Sequence, residues 1–157
     1  MSNPTTTSDP VVEKLRAAFP RVDFREANYG IPTLIVPHES LVEVCHFLKA
    51  TPGLEFDYLA SVTAIDYLDR IDVVYQMRSL KHRQDFVLRV EVDRDDSVAP
   101  SVTGVWRAAD YQEREIYDLM GVTFTGHPNL KRILLYDEFD GHPLRKDWRL
   151  PAEPRSK

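Results

Sequence analysis

The chain has 157 residues, 43% of them hydrophobic and 29% charged, with a formal net charge of −5. That length fits one domain with a sizeable core, and the acidic balance argues against general nucleic-acid binding, which leaves a basic footprint. The single cysteine, Cys45, excludes an internal disulfide and an iron–sulfur cluster held by this chain alone.

The N-terminus, "MSNPTTTSDP", has neither the basic nor the apolar stretch of a secretory signal. Residues 1–9 are expected to be disordered. No apolar run approaches the roughly 20 residues that span a bilayer. Asp9 is placed to cap a helix with Pro10 at its first position, and Val11, Val12, Leu15, Ala18 and Phe19 follow at helical spacing. "RVDFREANYGIPTLIV" reads as two strands around a turn at 28–30, with Pro32 near a strand start or a sheet edge. "SLVE" has capping-box spacing, Ser40 with Glu43, and predicts a helix whose buried face is Leu41, Val44, Cys45 and Leu48. Cys45 reads as a small core hydrophobe.

Three strand-like stretches come next. "ASVTAIDY" and "IDVVYQM" form a hairpin around Leu68. In "DFVLRVEV", Phe86, Leu88, Val90 and Val92 face one way, while Arg89, Glu91 and Asp93 face water. A further helix, "DYQEREIYDLMG", starts with a second capping-box pair, Asp110 and Glu113, and ends at Gly121. This order predicts an α+β fold of two layers, a mostly antiparallel sheet covered by helices, over residues 10–140. Residues 141–157 read as an extended, partner-binding tail.

The candidate chemistry is sparse. Glu113 and Glu115 are about 200° apart on a helix and cannot act as a carboxylate pair. They read as helix-end charges, or as one carboxylate placed against a partner, ahead of acid–base groups. Arg114 is placed to pair with Asp118 at i+4. His127 and His142 each stand between a glycine and a proline, which makes two stiff corners presenting an imidazole. Their spacing matches no zinc pattern. A small metal-dependent enzyme built on His127, His142 and Asp147 is the rival reading. His38, His46 and His82 have no evident partners. There is no phosphate loop, dinucleotide fingerprint or nucleophile elbow. Residues 132–139 are candidates for an edge strand. In the tail, "GHPLRKDWRLPAEPRSK", Trp148 reads as an apolar anchor for another protein and Arg145 as a fork for a partner carboxylate.

"EREIYDLMGVTFTGHPNLKRIL" followed by "GHPLRKD" resembles the hallmark region of the C subunit of NADH–quinone oxidoreductase, the 30-kDa subunit family of respiratory complex I. The resemblance is specific over residues 106–147, through Glu113, Arg114, Glu115, Asp118, Leu119, His127 and Arg132. "LASVTAIDY" and "VVYQMRS" are similar to the family's strand pair. The resemblance implies a non-catalytic subunit in the peripheral arm of a proton-translocating complex. It implies a chain without flavin, cluster or metal, with FMN and iron–sulfur clusters in partner subunits. Implied partners are the D subunit, which forms most of the quinone cavity, and the neighbouring B and I subunits. Membrane contact would be indirect, on the cytoplasmic side of a bacterial cell membrane. Under this reading Glu113, Arg114, Glu115, Asp118, His127, Arg132, His142, Arg145, Lys146, Asp147 and Trp148 are interface residues. Related subunits serve ferredoxin- and hydrogenase-linked membrane complexes, which stand as an alternative within the family. An adaptor outside respiration is a third reading.

Overall fold

The first helix, α1 (Pro10–Ala18), starts where the sequence places it, with the Asp9 carboxylate accepting the Val11 amide at 2.8 Å. The computed structural model describes residues 9–150. The expected disorder of residues 1–8 and the tail beyond 150 lie outside the described residues. After α1 come β1 (Arg25–Asn28), β2 (Pro32–Ile35), α2 (Leu41–Ala50), β3 (Tyr58–Asp66), β4 (Arg70–Ser79), β5 (Gln84–Asp93), β6 (Val98–Pro100), α3 (Ala109–Met120) and β7 (Thr123–Thr125).

The fold is α+β. The main sheet has the order β1-β2-β5-β4-β3. Its pairs are antiparallel except β2 with β5, which run parallel. The parallel pair arises because α2 carries the chain away from β2, and the β3-β4-β5 meander returns β5 beside it. β6 and β7 form a second, parallel pair. Phe86, Leu88, Val90 and Val92 of β5 lie opposite Met77, Tyr75, Val73 and Ile71 of β4, all buried. They join Val12 and Leu15 of α1, the predicted face of α2, and Ile116 and Met120 of α3 in one core.

Three local expectations fail. Ser40 makes no side-chain cap, because the chain enters α2 through a 3-10 turn. Asp110 is not the cap of α3 either. Ala108 holds that position, and the carbonyls of Trp106 and Arg107 take the amides of Ala109 and Asp110. Arg89 does not face water. β5 is the central strand, and its outer face is roofed by the flanking turns. Arg89 donates to the Tyr67 hydroxyl at 3.0 Å and to Asp72 at 3.3 Å, and its guanidinium lies 4.0 Å from the Tyr29 ring centre.

Gly121 ends α3 at φ +76°, and a Cβ there would lie 2.6 Å from Cδ2 of His142. Gly30 has φ +88° with open space around it. Gly121→Ala is therefore expected to lower stability by about 2–3 kcal/mol, backbone strain plus steric displacement, against about 1 kcal/mol for Gly30→Ala. Equal shifts of the two variants in chemical denaturation would show that His142 yields its place freely.

Candidate assembly surface

Helix α3 puts two carboxylates into the protein on different sides, and each holds a loop in shape. Both side chains are fully buried. Glu113 Oε1 accepts the Val102 amide at 2.8 Å and Oε2 accepts the Ser101 hydroxyl at 2.7 Å. Burial pushes its pKa up, and these two donors offset only part of that. The predicted capping role is thus replaced by a brace between α3 and the 101–103 turn.

Asp118 does more. Its Oδ2 accepts three consecutive amides, Ile133, Leu134 and Leu135, at 2.8–3.1 Å. Its Oδ1 accepts Arg132 Nη1 at 2.8 Å. Burial alone would raise the Asp118 pKa, but the amides and the guanidinium outweigh it and hold the carboxyl below its ordinary range. Arg132 also donates through Nη2 to the carbonyls of Phe139 and Gly141, at 3.1 and 3.0 Å. The stretch 132–139 therefore forms no edge strand. Its amides are spent on a side chain, and it curls around the Asp118–Arg132 pair. Arg114 does not pair with Asp118. It reaches the other way, to the carbonyls of Lys131 and Arg132.

The two histidines brace opposite ends of α3. Asn129 donates its amide to His127 Nδ1 at 2.9 Å, so Nε2 carries the proton and points at Asp110, 3.0 Å from Oδ1 and 3.2 Å from the carbonyl. The His142 Nδ1–H donates to the Asp118 carbonyl at 2.9 Å, with the ring against Gly121. Asp110 and Gly121 are eleven residues apart, about 16 Å along a helix. The two imidazoles cannot share a metal, and no group of three or more metal-donor side chains occurs among the described residues. The preceding glycines, Gly126 and Gly141, have φ +81° and +100°, as sharp corners require.

Comparison with known proteins gives the family. The family described as respiratory-chain NADH dehydrogenase, 30 Kd subunit, matches residues 34–154. The chain belongs to this family. A relative from Moorella thermoacetica, named as the C subunit of an NADH-quinone oxidoreductase, is 44% identical, over 92% of this chain and 97% of its own. Its namesake from a Roseiflexus species is 43% identical, over 91% and 84%. Among solved structures, a trypsin-resistant fragment (1–134) of Nqo5 superposes with a TM-score of 0.65 at 33% identity, covering 76% of this chain and 96% of the fragment. A chain of an archaeal membrane-bound sulfane sulfur reductase shares the fold, with a TM-score of 0.72 at 20% identity, covering 89% and 84%.

The charged residues expected at an interface are turned inward here. Glu113, Asp118, Arg132, His127 and His142 bond to their own chain. So does Arg145, whose fork was expected to take a partner carboxylate. It donates instead to the carbonyls of Met120 and Arg94 at 2.7 and 3.1 Å. Trp148 stacks on Phe139 with ring centres 5.9 Å apart, and Phe139 meets Tyr136 edge-on at 5.5 Å. Residues 141–148 of the tail thus lie on their own domain, because their donors find unpaired carbonyls at the C-terminal end of α3. Asp147 pairs with Arg94, and Lys146 contributes its amide to Asp66. Glu115 is exposed, as its angle on the helix predicts.

Among the residues these bonds leave outside, beside charged ones such as Asp137 and Glu138, are large apolar side chains. Leu134 is 61%, Tyr136 67% and Leu144 60% exposed. Sequence reasoning missed Leu134 and Tyr136 because "ILLYDEF" was read as a possible strand. Four hydrophobic residues in a row, Ile133 to Tyr136, before the acidic pair Asp137-Glu138, without strand alternation, are the available signal. No helix among the described residues is long and apolar enough to cross a membrane.

Proposed function

We propose that the chain is a structural subunit of a proton-translocating NADH–quinone oxidoreductase, without catalysis of its own. In this reading it sits in the peripheral arm on the cytoplasmic side of a bacterial membrane and packs against the D subunit of the quinone cavity, with the B and I subunits nearby. FMN and iron–sulfur clusters belong to partner subunits. Electrons pass from NADH to quinone through the whole complex, and this chain supports the geometry.

The observation that carries the reading is the division of labour around α3. Charged residues with catalytic potential are consumed in shaping one loop, and the loop displays large apolar side chains to the outside. Leu134 and Tyr136 stand two residues apart on this loop and both are exposed, and exposed apolar groups on one shaped loop suit a protein contact. Tyrosines in such positions are frequent anchors.

The test is co-purification with the quinone-cavity subunit of the same complex. Tyr136→Ala is expected to weaken association by about 1–3 kcal/mol and to leave the melting temperature of the free chain within about 2 °C, since the side chain is exposed. Unchanged recovery of the complex with both Tyr136→Ala and Leu134→Asp would reject this surface as the docking site.

A further inference from the structure

The described tail contributes nothing to the hydrophobic core. Its bonds are polar, apart from the half-buried stack of Trp148 on Phe139, and they fall into two groups: Gly141, His142, Leu144 and Arg145 bond to Arg132 and the last carbonyls of α3, while Arg145, Lys146 and Asp147 meet at Arg94 and its partner Asp66. Arg94 follows β5 and carries the second group through both its side chain and its carbonyl. Its guanidinium holds Asp66 at 2.9 and 2.8 Å and Asp147 at 3.1 and 2.8 Å. Its carbonyl accepts Arg145 Nη1, and its partner Asp66 accepts the Lys146 amide at 2.8 Å.

The two carboxylates differ in kind. The Asp66 side chain is 2% exposed and that of Asp147 is 61% exposed. The Asp66–Arg94 pair keeps both of its hydrogen bonds, and Asp66 keeps the Leu68 amide, whether or not the tail is present. Asp147 can leave without stranding a buried charge. At the root of the segment Gly141 stands at φ +100°, and a Cβ there would lie 2.7 Å from Trp148 Nε1. A glycine corner and a dry, self-sufficient anchor are what a segment needs in order to open and close as a unit.

We propose that residues 141–148 form a detachable strap, and that Arg94 is the latch that closes it on the domain. In the closed state the strap covers the C-terminal end of α3 through Leu144 N to Leu119 O and Arg145 to Met120 O. In the open state the Asp66–Arg94 pair remains and that helix end is solvated. The device concerns the free chain and does not depend on which protein is its partner.

Hydrogen exchange on the intact chain tests it. The amides of Leu144, Lys146 and Trp148 are expected to exchange at least about tenfold faster than those of Val73 and Tyr75, because segments without core contacts open locally. Asp147→Asn keeps the buried pair and should speed the strap amides about three- to fivefold while leaving the β4 amides unchanged, the scale of an exposed ion pair. Raising the salt to about 0.5 M should act similarly on the wild type and add little to the variant. Strap amides as slow as Val73 would mean that the segment opens only with the whole domain, and the strap is excluded. Strap amides unaffected by Asp147→Asn would exclude Arg94 as the latch.

Discussion

Asp118→Ala is expected to lower the stability of the free chain by about 3–5 kcal/mol, the usual cost of removing one partner of a buried charged pair. In a domain of this size that corresponds to a fall in melting temperature of about 10 °C. Three backbone amides lose their acceptor together with the Arg132 guanidinium, and water cannot replace a carboxylate in that space without the loop opening. The effect should be local before it is global. Exchange at Ile133, Leu134 and Leu135 should accelerate more than exchange at Val73. Adding Arg132→Ala should cost less than it does in the wild type, because both act on one loop. Full additivity of the two would mean that the amides, and not the pair, carry the shape. The carboxyl lies below its ordinary value of 3.8 when folded. Its stabilisation is therefore present above that pH and is lost as pH falls toward the folded value. Acid should release this loop, and Asp118→Ala should remove part of the acid sensitivity.

Glu113→Ala should lower stability by about 2–4 kcal/mol, since the Val102 amide and the Ser101 hydroxyl would be left without their carboxylate acceptor. Glu115→Ala, at an exposed site on the same helix, should change it by less than about 0.5 kcal/mol. The informative variant is Glu113→Gln, which keeps the shape and removes the charge. Glu113 is raised above its ordinary value of 4.5 in the folded chain, so the folded state binds more protons than the unfolded state above that pH. Its contribution to stability is fully present below about 4.5 and declines as pH rises through the folded value. The glutamine variant has no such decline. Measured against the wild type, it should gain ground steadily as pH rises above 4.5. A difference that is flat with pH, or that slopes the other way, would mean that the Ser101 and Val102 donors dominate over burial.

Much of the fold was legible in the chain itself. The Asp9–Pro10 start of α1, the apolar face of α2, the alternation of β5 and the αL glycine after α3 each follow from local chemistry that a single element expresses. The opposite facing of Glu113 and Glu115 is likewise set by helix geometry alone. Neighbouring elements settled the rest. β5 became the shared central strand only when β2 paired with it in parallel, and that roofed Arg89, which alternation had assigned to water. Asp118 lies about 200° around α3 from Ile116 and Met120, away from the core side, and three amides and an arginine from residues 132–135 bury it only after the chain has turned at Gly126. The tail had no periodicity and was read as free for a partner, since nothing in its sequence names Asp66 or Arg94. Those residues lie about 80 and 50 positions upstream, and sequence spacing carries no information about which distant carbonyls and carboxylates remain unpaired at the end of a helix. The sequence by itself determined the elements and the family they belong to. Only the tertiary structure decided that the charged residues of 113–132 work inward, with Leu134 and Tyr136 outside, because burying a charge requires partners that only the folded chain brings together.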